Sequence, residues 1–309
     1  MSGFADRLIQ RGEENRSRVI VGLDPTLERF PQFLQNRLQE ELTEERLEET
    51  LFSFNQVIIE ATQDQAAAYK PQAAFYEQYG LAGVKALQRT ITFLRERGLL
   101  TIIDAKRNDI AHTAGAYATA WIAPTHPIFK TPNLWQSDAI TINGYLGRDG
   151  IDPFLAANGD AGLFVLAKTS NPSSGELQDL ALASGETVAE KMASLAQIWG
   201  EPVRGERGYS NIGIVVGATY PELSARLRSL APNAPFLMPG IGAQGGSLDA
   251  ITAASGKDGV GAYAASSRGV MYPFKPEELR GSDWADQARK RINVAAGELR
   301  QAIEDKLRG

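Results

Sequence analysis

The chain has 309 residues, of which 43% are hydrophobic and 22% are charged, and its formal net charge is −5. This composition is typical of a globular protein with a sizeable core, and the negative charge argues against a nucleic-acid partner. The absence of cysteine excludes disulfides, and two histidines leave little for a zinc site. The apolar runs are short and the first residues carry no apolar signal segment, so we expect a cytoplasmic protein that does not engage a membrane.

Eight short apolar runs alternate with segments rich in Ala, Leu, Glu, Gln and Arg. This alternation predicts repeated βα units, and eight strands in a chain of this length favour a closed barrel over an open sheet. We therefore expect an α/β fold, a single (β/α)8 TIM barrel domain over residues 1–309, with a short N-terminal helix within residues 1–15 closing its bottom. The predicted strands are 18–22, 66–70, 99–104, 139–143, 162–168, 212–217, 235–240 and 259–266. The predicted helices are 44–63, 72–97, 109–121, 187–199, 220–230 and 284–306.

Two segments interrupt this regular alternation. Prolines in residues 123–133 forbid a regular helix and predict an insertion, extending to residue 136, within the one domain. The stretch from 171 to 207 is also long for a connection between a strand and the next helix. The sequence assigns neither segment a role.

The third predicted strand joins an apolar run to dense charge. Residues 99–103 are mostly apolar, and Asp104 and Lys106 follow them. Residues two apart on a strand project from the same face, so this carboxylate and this ammonium can point at one ligand. Burial disfavours the charged form of either group alone, whereas each group favours the ionised form of the other. The pair is therefore either an electrostatic element with a proton donor or an ordinary surface salt bridge.

Polar residues also follow several other predicted strands, at the end where a TIM barrel builds its active site. Taken singly, each has a structural explanation: Asp24 precedes a proline and suits a turn, and Asp109 could cap the next helix. Because a barrel places all of its strand ends around one opening, their coincidence predicts a shared site. These strand-end residues are Asp24, Lys70, Asp104 with Lys106, Asn143, and the run from Lys168 to Asn171.

Glycines follow the seventh predicted strand, and an arginine follows the eighth. Residues 240–245 match G-x-G-x-x-G, but they come late in an eightfold alternation, which argues against a dinucleotide-binding unit. Exposed backbone N–H groups at this position suit the phosphate site of a TIM barrel. Arg268 can present a planar charged fork to phosphate oxygens. The sequence therefore predicts a phosphorylated small-molecule ligand.

Taken together, these segments resemble the orotidine 5′-phosphate decarboxylase family, in its longer bacterial branch. The resemblance spans nearly the whole chain and rests above all on D-x-K-x-x-D-I at 104–110 and P-G-x-G-A-Q-G-G at 239–246. Further matches are G-L-D-P at 22–25, Y-K-P-Q at 69–72, T-S-N-P at 169–172 and S-R at 267–268.

The resemblance implies an enzyme, a carboxy-lyase that converts orotidine 5′-monophosphate to UMP and carbon dioxide in de novo pyrimidine synthesis. It implies no metal and no cofactor, and a homodimer whose active sites are shared between subunits. Two alternatives remain: a related magnesium-dependent sugar-phosphate decarboxylase that also uses D-x-K, and a catalytically silent nucleotide-binding protein.

The resemblance also implies roles for individual residues. Lys106 protonates C6 of the pyrimidine, and Asp109 belongs to the site of the other subunit. Ile110 and Thr113 line that same neighbouring site, and Ser170 contacts the pyrimidine edge. The implied catalytic residues are Lys70, Asp104, Lys106 and Asp109. The implied substrate-binding residues are Asp24 and Lys70 for the ribose, Ile110, Thr113 and Ser170, and Gly240, Gly242, Gln244, Ser267 and Arg268 for the phosphate, with Asn143 as a strand-end candidate.

Overall fold

The structure is a computed structural model that describes residues 2–241 and 246–308. No helix among these residues is both long and apolar enough to cross a membrane. The strands are β1 (Val19–Leu23), β2 (Ala68–Pro71), β3 (Ile102–Arg107), β4 (Ala139–Ile142), β5 (Gly162–Lys168), β6 (Ile212–Val216), β7 (Phe236–Pro239) and β8 (Ala262–Ser266). The helices are α1 (Phe4–Glu14), α2 (Gln32–Glu40), α3 (Glu44–Thr62), α4 (Ala74–Glu77), α5 (Gly80–Glu96), α6 (Ala111–Trp121), α7 (Asp152–Ala157), α8 (Gly175–Gln178), α9 (Val188–Gly200), α10 (Pro221–Leu230), α11 (Leu248–Ala254), α12 (Arg268–Met271) and α13 (Trp284–Arg308).

The strands form one parallel sheet in the order β2-β1-β8-β7-β6-β5-β4-β3. The two outer strands of that order meet through parallel bridges, which join Tyr69 to Thr101 and Gln72 to Asp104. The backbone N–H of Tyr69 also donates to the carbonyl oxygen of Leu100 at 2.8 Å. These contacts close the sheet, and the predicted (β/α)8 TIM barrel is confirmed.

Side-chain alternation along the strands separates an inner core from an outer one. In β5, Val165 packs among the outer residues against the helices, whereas Phe164 and Leu166 belong to the inner cluster. This is the alternation expected of a barrel strand. Phe4 of α1 packs edge-on against Phe164, with ring centroids 5.8 Å apart. The predicted N-terminal helix therefore closes the bottom of the barrel.

The predicted boundaries fail most clearly at β3 and in the second helical segment. β3 starts at Ile102 and continues through Arg107, so Lys106 lies inside the strand with a φ of +48°. Its pairing with β4 is irregular between Ile103 and Arg107. The predicted helix 72–97 is two helices because Gly80, with a φ of +60°, interrupts it. The prediction also missed α2, α7 and α11, and the single-turn helices α8 and α12.

Candidate active site

A cavity of about 630 Å³ lies at the carboxyl ends of the strands. Every strand, or the loop that follows it, contributes to its lining, as the strand-end argument predicts. The lining residues are Asp24, Thr26, Arg29, Lys70, Gln72, Phe75, Asp104, Lys106, Thr141, Leu166, Thr169, Ser170, Asn171, Val215, Leu237, Pro239, Gly240, Ile241, Ala265, Ser266, Ser267 and Arg268.

Asp104 lies at the centre of a charged network on one side of this cavity. Its Oδ1 accepts from Lys106 Nζ at 2.6 Å, and its Oδ2 accepts from Lys70 Nζ at 2.9 Å. Thr141 Oγ1 donates to Oδ1 at 2.8 Å, and Gln72 Nε2 donates to Oδ2 at 3.0 Å. Each carboxylate oxygen therefore accepts two hydrogen bonds, and these fix the orientation of the carboxylate.

The unusual backbone of β3 places both members of the D-x-K pair on the cavity. Thr141 Oγ1 accepts the backbone N–H of Lys106 at 3.0 Å while it donates to Asp104. One hydroxyl thus links the bulged strand to the carboxylate. Sequence reasoning missed Thr141 and did not assign Gln72 a role. The available signal was a lone polar residue facing inward from an apolar strand, between Ile140 and Ile142.

Each charged group of this network favours the ionised form of its partner. Burial raises the pKa of the Asp104 carboxyl, but the ammonium groups of Lys70 and Lys106 outweigh burial and hold that pKa below its usual range. Burial lowers the pKa of Lys70, but the carboxylates of Asp104 and Asp24 outweigh it and leave that pKa above its ordinary value. At neutral pH, Asp104 is therefore a carboxylate and Lys70 an ammonium.

The two lysines differ in access to the cavity. The side chain of Lys70 is 7% exposed, whereas that of Lys106 is 44% exposed. An ammonium group has three donors, and the contact with Asp104 uses one from Lys106. Lys106 is therefore the member of the network that can reach a bound molecule.

Asp24 presents a vacant hydrogen-bond acceptor beside this network. Its Oδ1 is buried and accepts no hydrogen bond from any described residue. A buried acceptor without a donor is costly, and a hydroxyl group of a ligand would satisfy it. Since Asp24 lines the cavity, this geometry suits a polyhydroxylated ligand.

Two further cavity-lining cations follow β1 and β8, and a glycine follows β7. Arg268 is exposed and forms no ion pair with the described residues. Gly240, with a φ of +99°, also lines the cavity. Arg29 is a third lining residue, and it was not predicted. The predicted phosphate contacts Gly242 and Gln244 lie outside the described residues.

A glycine in β1 determines where Ser267 and Arg268 can lie. A Cβ at Gly22 would stand 2.7 Å from Ser267 Cβ and 3.0 Å from Ser267 Cα. Any other residue at position 22 would therefore push the start of α12 away from β1. The glycine in the G-L-D-P motif thus permits the close approach that brings Ser267 to the cavity.

Four predicted site residues lie away from this chain's cavity: Asp109, Ile110, Thr113 and Asn143. The carboxylate of Asp109 accepts the backbone N–H of Ile110 at 2.8 Å, and the side chain of Ile110 is 50% exposed. Asn143 Oδ1 accepts the backbone N–H of Tyr145 at 3.0 Å and caps the following turn. Asp109 does not cap α6, whose N-cap is Ile110. The predicted roles of all four residues stay predictions.

Within residues 2–241 and 246–308, no group of three or more His, Asp or Glu side chains is arranged to hold a metal ion. The prediction that no metal and no cofactor take part stays a prediction.

Comparison with known proteins agrees with this geometry. The model of the orotidine 5′-phosphate decarboxylase / HUMPS family matches residues 17–278. The chain belongs to this family. It is accordingly a carboxy-lyase, and the resemblance drawn from the motifs is confirmed.

Relatives of this family match the chain over nearly its whole length. Orotidine 5′-phosphate decarboxylases from Rhodopirellula baltica and Haloarcula marismortui are each 40% identical to it, over 94% and 97% of this chain and 96% and 98% of theirs. Among solved structures, the OMP decarboxylase of Leishmania donovani superposes with a TM-score of 0.70 at 35% identity. That match covers 96% of this chain and 100% of the other.

Proposed function

We propose that the protein decarboxylates orotidine 5′-monophosphate to UMP and carbon dioxide, the last step of de novo pyrimidine synthesis. The observation that carries the proposal is the Lys70–Asp104–Lys106 network, which faces one cavity together with the exposed Arg268. The names of the relatives support the same reaction. A cytoplasmic location stays a prediction.

The chemistry requires an electrostatic element that replaces a cofactor. When the C6–carboxylate bond breaks, carbon dioxide leaves and the bonding electron pair remains on C6, where no adjacent carbonyl can accept it. A fixed ammonium group stabilises such a carbanion and supplies the proton that forms the new C6–H bond. Lys106 fits this role because its ammonium is held by Asp104 and reaches the cavity. Water then returns a proton to the neutral Lys106 amine.

The remaining cavity residues fit the other parts of this substrate. The free acceptor of Asp24 and the adjacent ammonium of Lys70 suit the ribose hydroxyls. Arg268, Ser267 and the backbone at Gly240 suit the phosphate. Binding energy from the phosphate, remote from C6, can be used to organise the site for reaction.

The direct test supplies purified protein with orotidine 5′-monophosphate and measures UMP and carbon dioxide. We expect the two products in a 1:1 ratio. Nucleotide binding without product would favour the silent binding protein. Turnover of sugar phosphates with no turnover of orotidine 5′-monophosphate would favour the magnesium-dependent relative.

We further propose that two copies of the chain form a homodimer and share their active sites. The support is the position of Asp109 and Ile110, which lie outside this chain's cavity at the start of α6. Segment Gly144–Gly150 packs against α6 and exposes Tyr145 and Leu146, which are 75% and 42% accessible. Exposed apolar side chains around a carboxylate suit an interface in which each copy lends Asp109 to the other.

Subunit mixing tests the shared site. Lys106→Ala and Asp109→Ala subunits, each inactive alone, should regain activity when mixed, because one site of the mixed dimer then receives both defects and the other receives neither. The control confirms subunit exchange by mass labelling. Full exchange without recovered activity would show that Asp109 does not serve a neighbouring site.

A further inference from the structure

Lys168, the last residue of β5, is a buried cation that the proposed reaction does not use. The residue is 3% exposed and is absent from the lining of the cavity. Its Nζ donates to Asp179 Oδ1 at 2.6 Å, and the carboxylate side chain is 55% exposed. An ammonium group buried to this extent needs its carboxylate partner, because desolvation of an unpaired charge is very costly.

The chain between the two partners contains cavity residues. Thr169, Ser170 and Asn171 follow Lys168 directly and line the cavity, and the chain then turns through Pro172–Ser174 and α8 back to Asp179. The ion pair therefore ties the far end of this loop to the end of β5. A loop with fixed ends loses most of its conformational freedom, and its side chains keep one position.

A second contact ties the loop at the adjacent residues. Gln178 Oε1 accepts the backbone N–H of Thr169 at 2.9 Å, and Gln178 Nε2 donates to Thr169 Oγ1 at 2.8 Å. Lys168 thus contacts Asp179, and Thr169 contacts the preceding residue, Gln178. The paired contacts fix both the position and the direction of the loop.

The start of the loop packs against Gly217, the residue that follows β6. A Cβ at Gly217 would stand 3.0 Å from Ser170 Cβ and 3.0 Å from Ser170 N. The backbone N–H of Gly217 also donates to the carbonyl oxygen of Lys168 at 2.8 Å. Ser170 therefore lies directly against the end of β6, and a small displacement of the loop moves it away from the cavity.

We propose that Lys168 and Asp179 form a latch that holds Ser170 and Asn171 at the cavity. Lys168 and Asp179 are thus positioning residues, which act through the loop on the ring of the substrate. The identity of that substrate rests on the proposed function. A buried ion pair is weak evidence for stability, because proteins in which apolar residues replace such a pair are often as stable. A better attested role of a buried ion pair is to specify one geometry of the chain around it. The latch contributes to turnover through the loop and touches no reacting atom.

Lys168→Met is the cleanest variant because it removes the buried charge, and the half-exposed Asp179 then turns to water. We expect a fall of about tenfold in kcat/KM for orotidine 5′-monophosphate with little change in the urea midpoint of unfolding. Asp179→Glu keeps the charge and should retain most of the activity that Asp179→Asn loses. Lys191→Met is the matched control, because it removes another lysine ion pair, with Glu186, from the adjacent segment.

A double-mutant comparison separates a latch from a general structural role. In a protein that already carries Ser170→Ala and Asn171→Ala, Lys168→Met should cost less than about twofold, because the side chains it positions are gone. Undiminished loss in that background would overturn the proposal, as would full activity of Lys168→Met in the otherwise unchanged protein.

Hydrogen exchange tests the latch without any ligand. Backbone amides of residues 169–180 should exchange faster in Lys168→Met than in the parent and remain unchanged in Lys191→Met. Equal exchange in parent and Lys168→Met would overturn the latch. An inactive parent would instead overturn the proposed function, and the exchange comparison would still decide the latch.

Discussion

The barrel buries positive charge near both of its ends and satisfies that charge in two different ways. Near the amino ends of β7 and β8, the guanidinium of Arg228 donates to five backbone carbonyl oxygens of the described residues, at 2.6 to 3.1 Å, and lies 3.9 Å from the ring centroid of Phe236. At the carboxyl ends, Lys70 and Lys106 are paired with the carboxylate of Asp104. The acceptors of Arg228 are the carbonyl oxygens of Ala231, Pro232, Ala234, Ala254 and Gly261.

The difference separates a charge that holds structure from a charge that can act on a ligand. Burial lowers the pKa of Arg228 to about 10, so it stays charged at neutral pH, and its contacts end on the loops that enter β7 and β8. It faces no cavity. Lys106, in contrast, donates from Nζ to Asp104 alone among the described residues, lines the cavity and is 44% exposed. Substitutions at the two places should therefore affect different properties of the protein.

The largest expected effect is on turnover in Lys106→Ala. Loss of the proposed proton donor should lower kcat by at least about 10³-fold. The unfolding free energy should change by less than about 1 kcal/mol, because Asp104 keeps Lys70, Thr141 and Gln72 as partners. Stopped assays and urea unfolding on one preparation measure both quantities, with the exposed Lys257→Ala as control. A folded Lys106→Ala protein with near-normal kcat would contradict the proposal that Lys106 acts on the substrate.

Arg228→Met should show the reverse behaviour. The substitution leaves several buried carbonyl oxygens without donors and should lower the unfolding free energy by at least about 3 kcal/mol. The kcat of the remaining folded protein should be unchanged. Arg228→Lys, which keeps a charge but has fewer donors, should fall between parent and Met in urea midpoint. Unchanged stability of both variants would show that Arg228 does not hold this end together.

The contribution of the Asp104 carboxylate to stability should depend on pH. Asp104→Asn should lower the unfolding free energy by about 3 kcal/mol at pH 7, because it leaves Lys70 buried without its carboxylate. The folded pKa of Asp104 is depressed, so its contribution is complete above the unfolded pKa of about 4 and is lost as pH falls through the folded value. The gap between parent and variant should therefore be constant from pH 5 to 7 and narrow below about pH 4. Urea midpoints across this range measure it, and a gap that widens in acid would contradict the account.

A smaller effect is expected at Arg268, an exposed cation with no ion pair to the described residues. Arg268→Ala should weaken kcat/KM for orotidine 5′-monophosphate by roughly 10- to 100-fold through the loss of a charge-assisted phosphate contact. The unphosphorylated nucleoside orotidine should be affected far less. Equal losses for both substrates would show that Arg268 acts elsewhere than on the phosphate.

Sequence periodicity predicted the barrel and much of the site because both follow from local patterns. Eight apolar runs define the strands, and the barrel brings Asp24, Lys70, Asp104 and Lys106 to one cavity. The D-x-K spacing predicted that Asp104 and Lys106 share one face, and in the structure both line the cavity with their side chains 2.6 Å apart.

The contacts that the sequence did not predict depend on strand register and loop paths. Thr141 lies beside Asp104 because β3 and β4 pair in the register that joins Ile103 to Ile140, and residue spacing within one strand does not give that register. Lys168 and Asp179 are 11 residues apart, and their pairing depends on how the loop after β5 folds back. Arg228 finds its carbonyl oxygens on segments up to 33 residues distant. Neither residue spacing nor local propensity carries this information.

In the proposed mechanism, fixed charge at Asp104 and Lys106 performs the decarboxylation without a metal. The most direct measurement is the kcat of the unmodified protein with orotidine 5′-monophosphate, first after exhaustive treatment with EDTA and then with magnesium restored. The account predicts the same kcat in both conditions, with carbon dioxide and UMP formed in equal amounts. Turnover that disappears on chelation and returns with magnesium would contradict it.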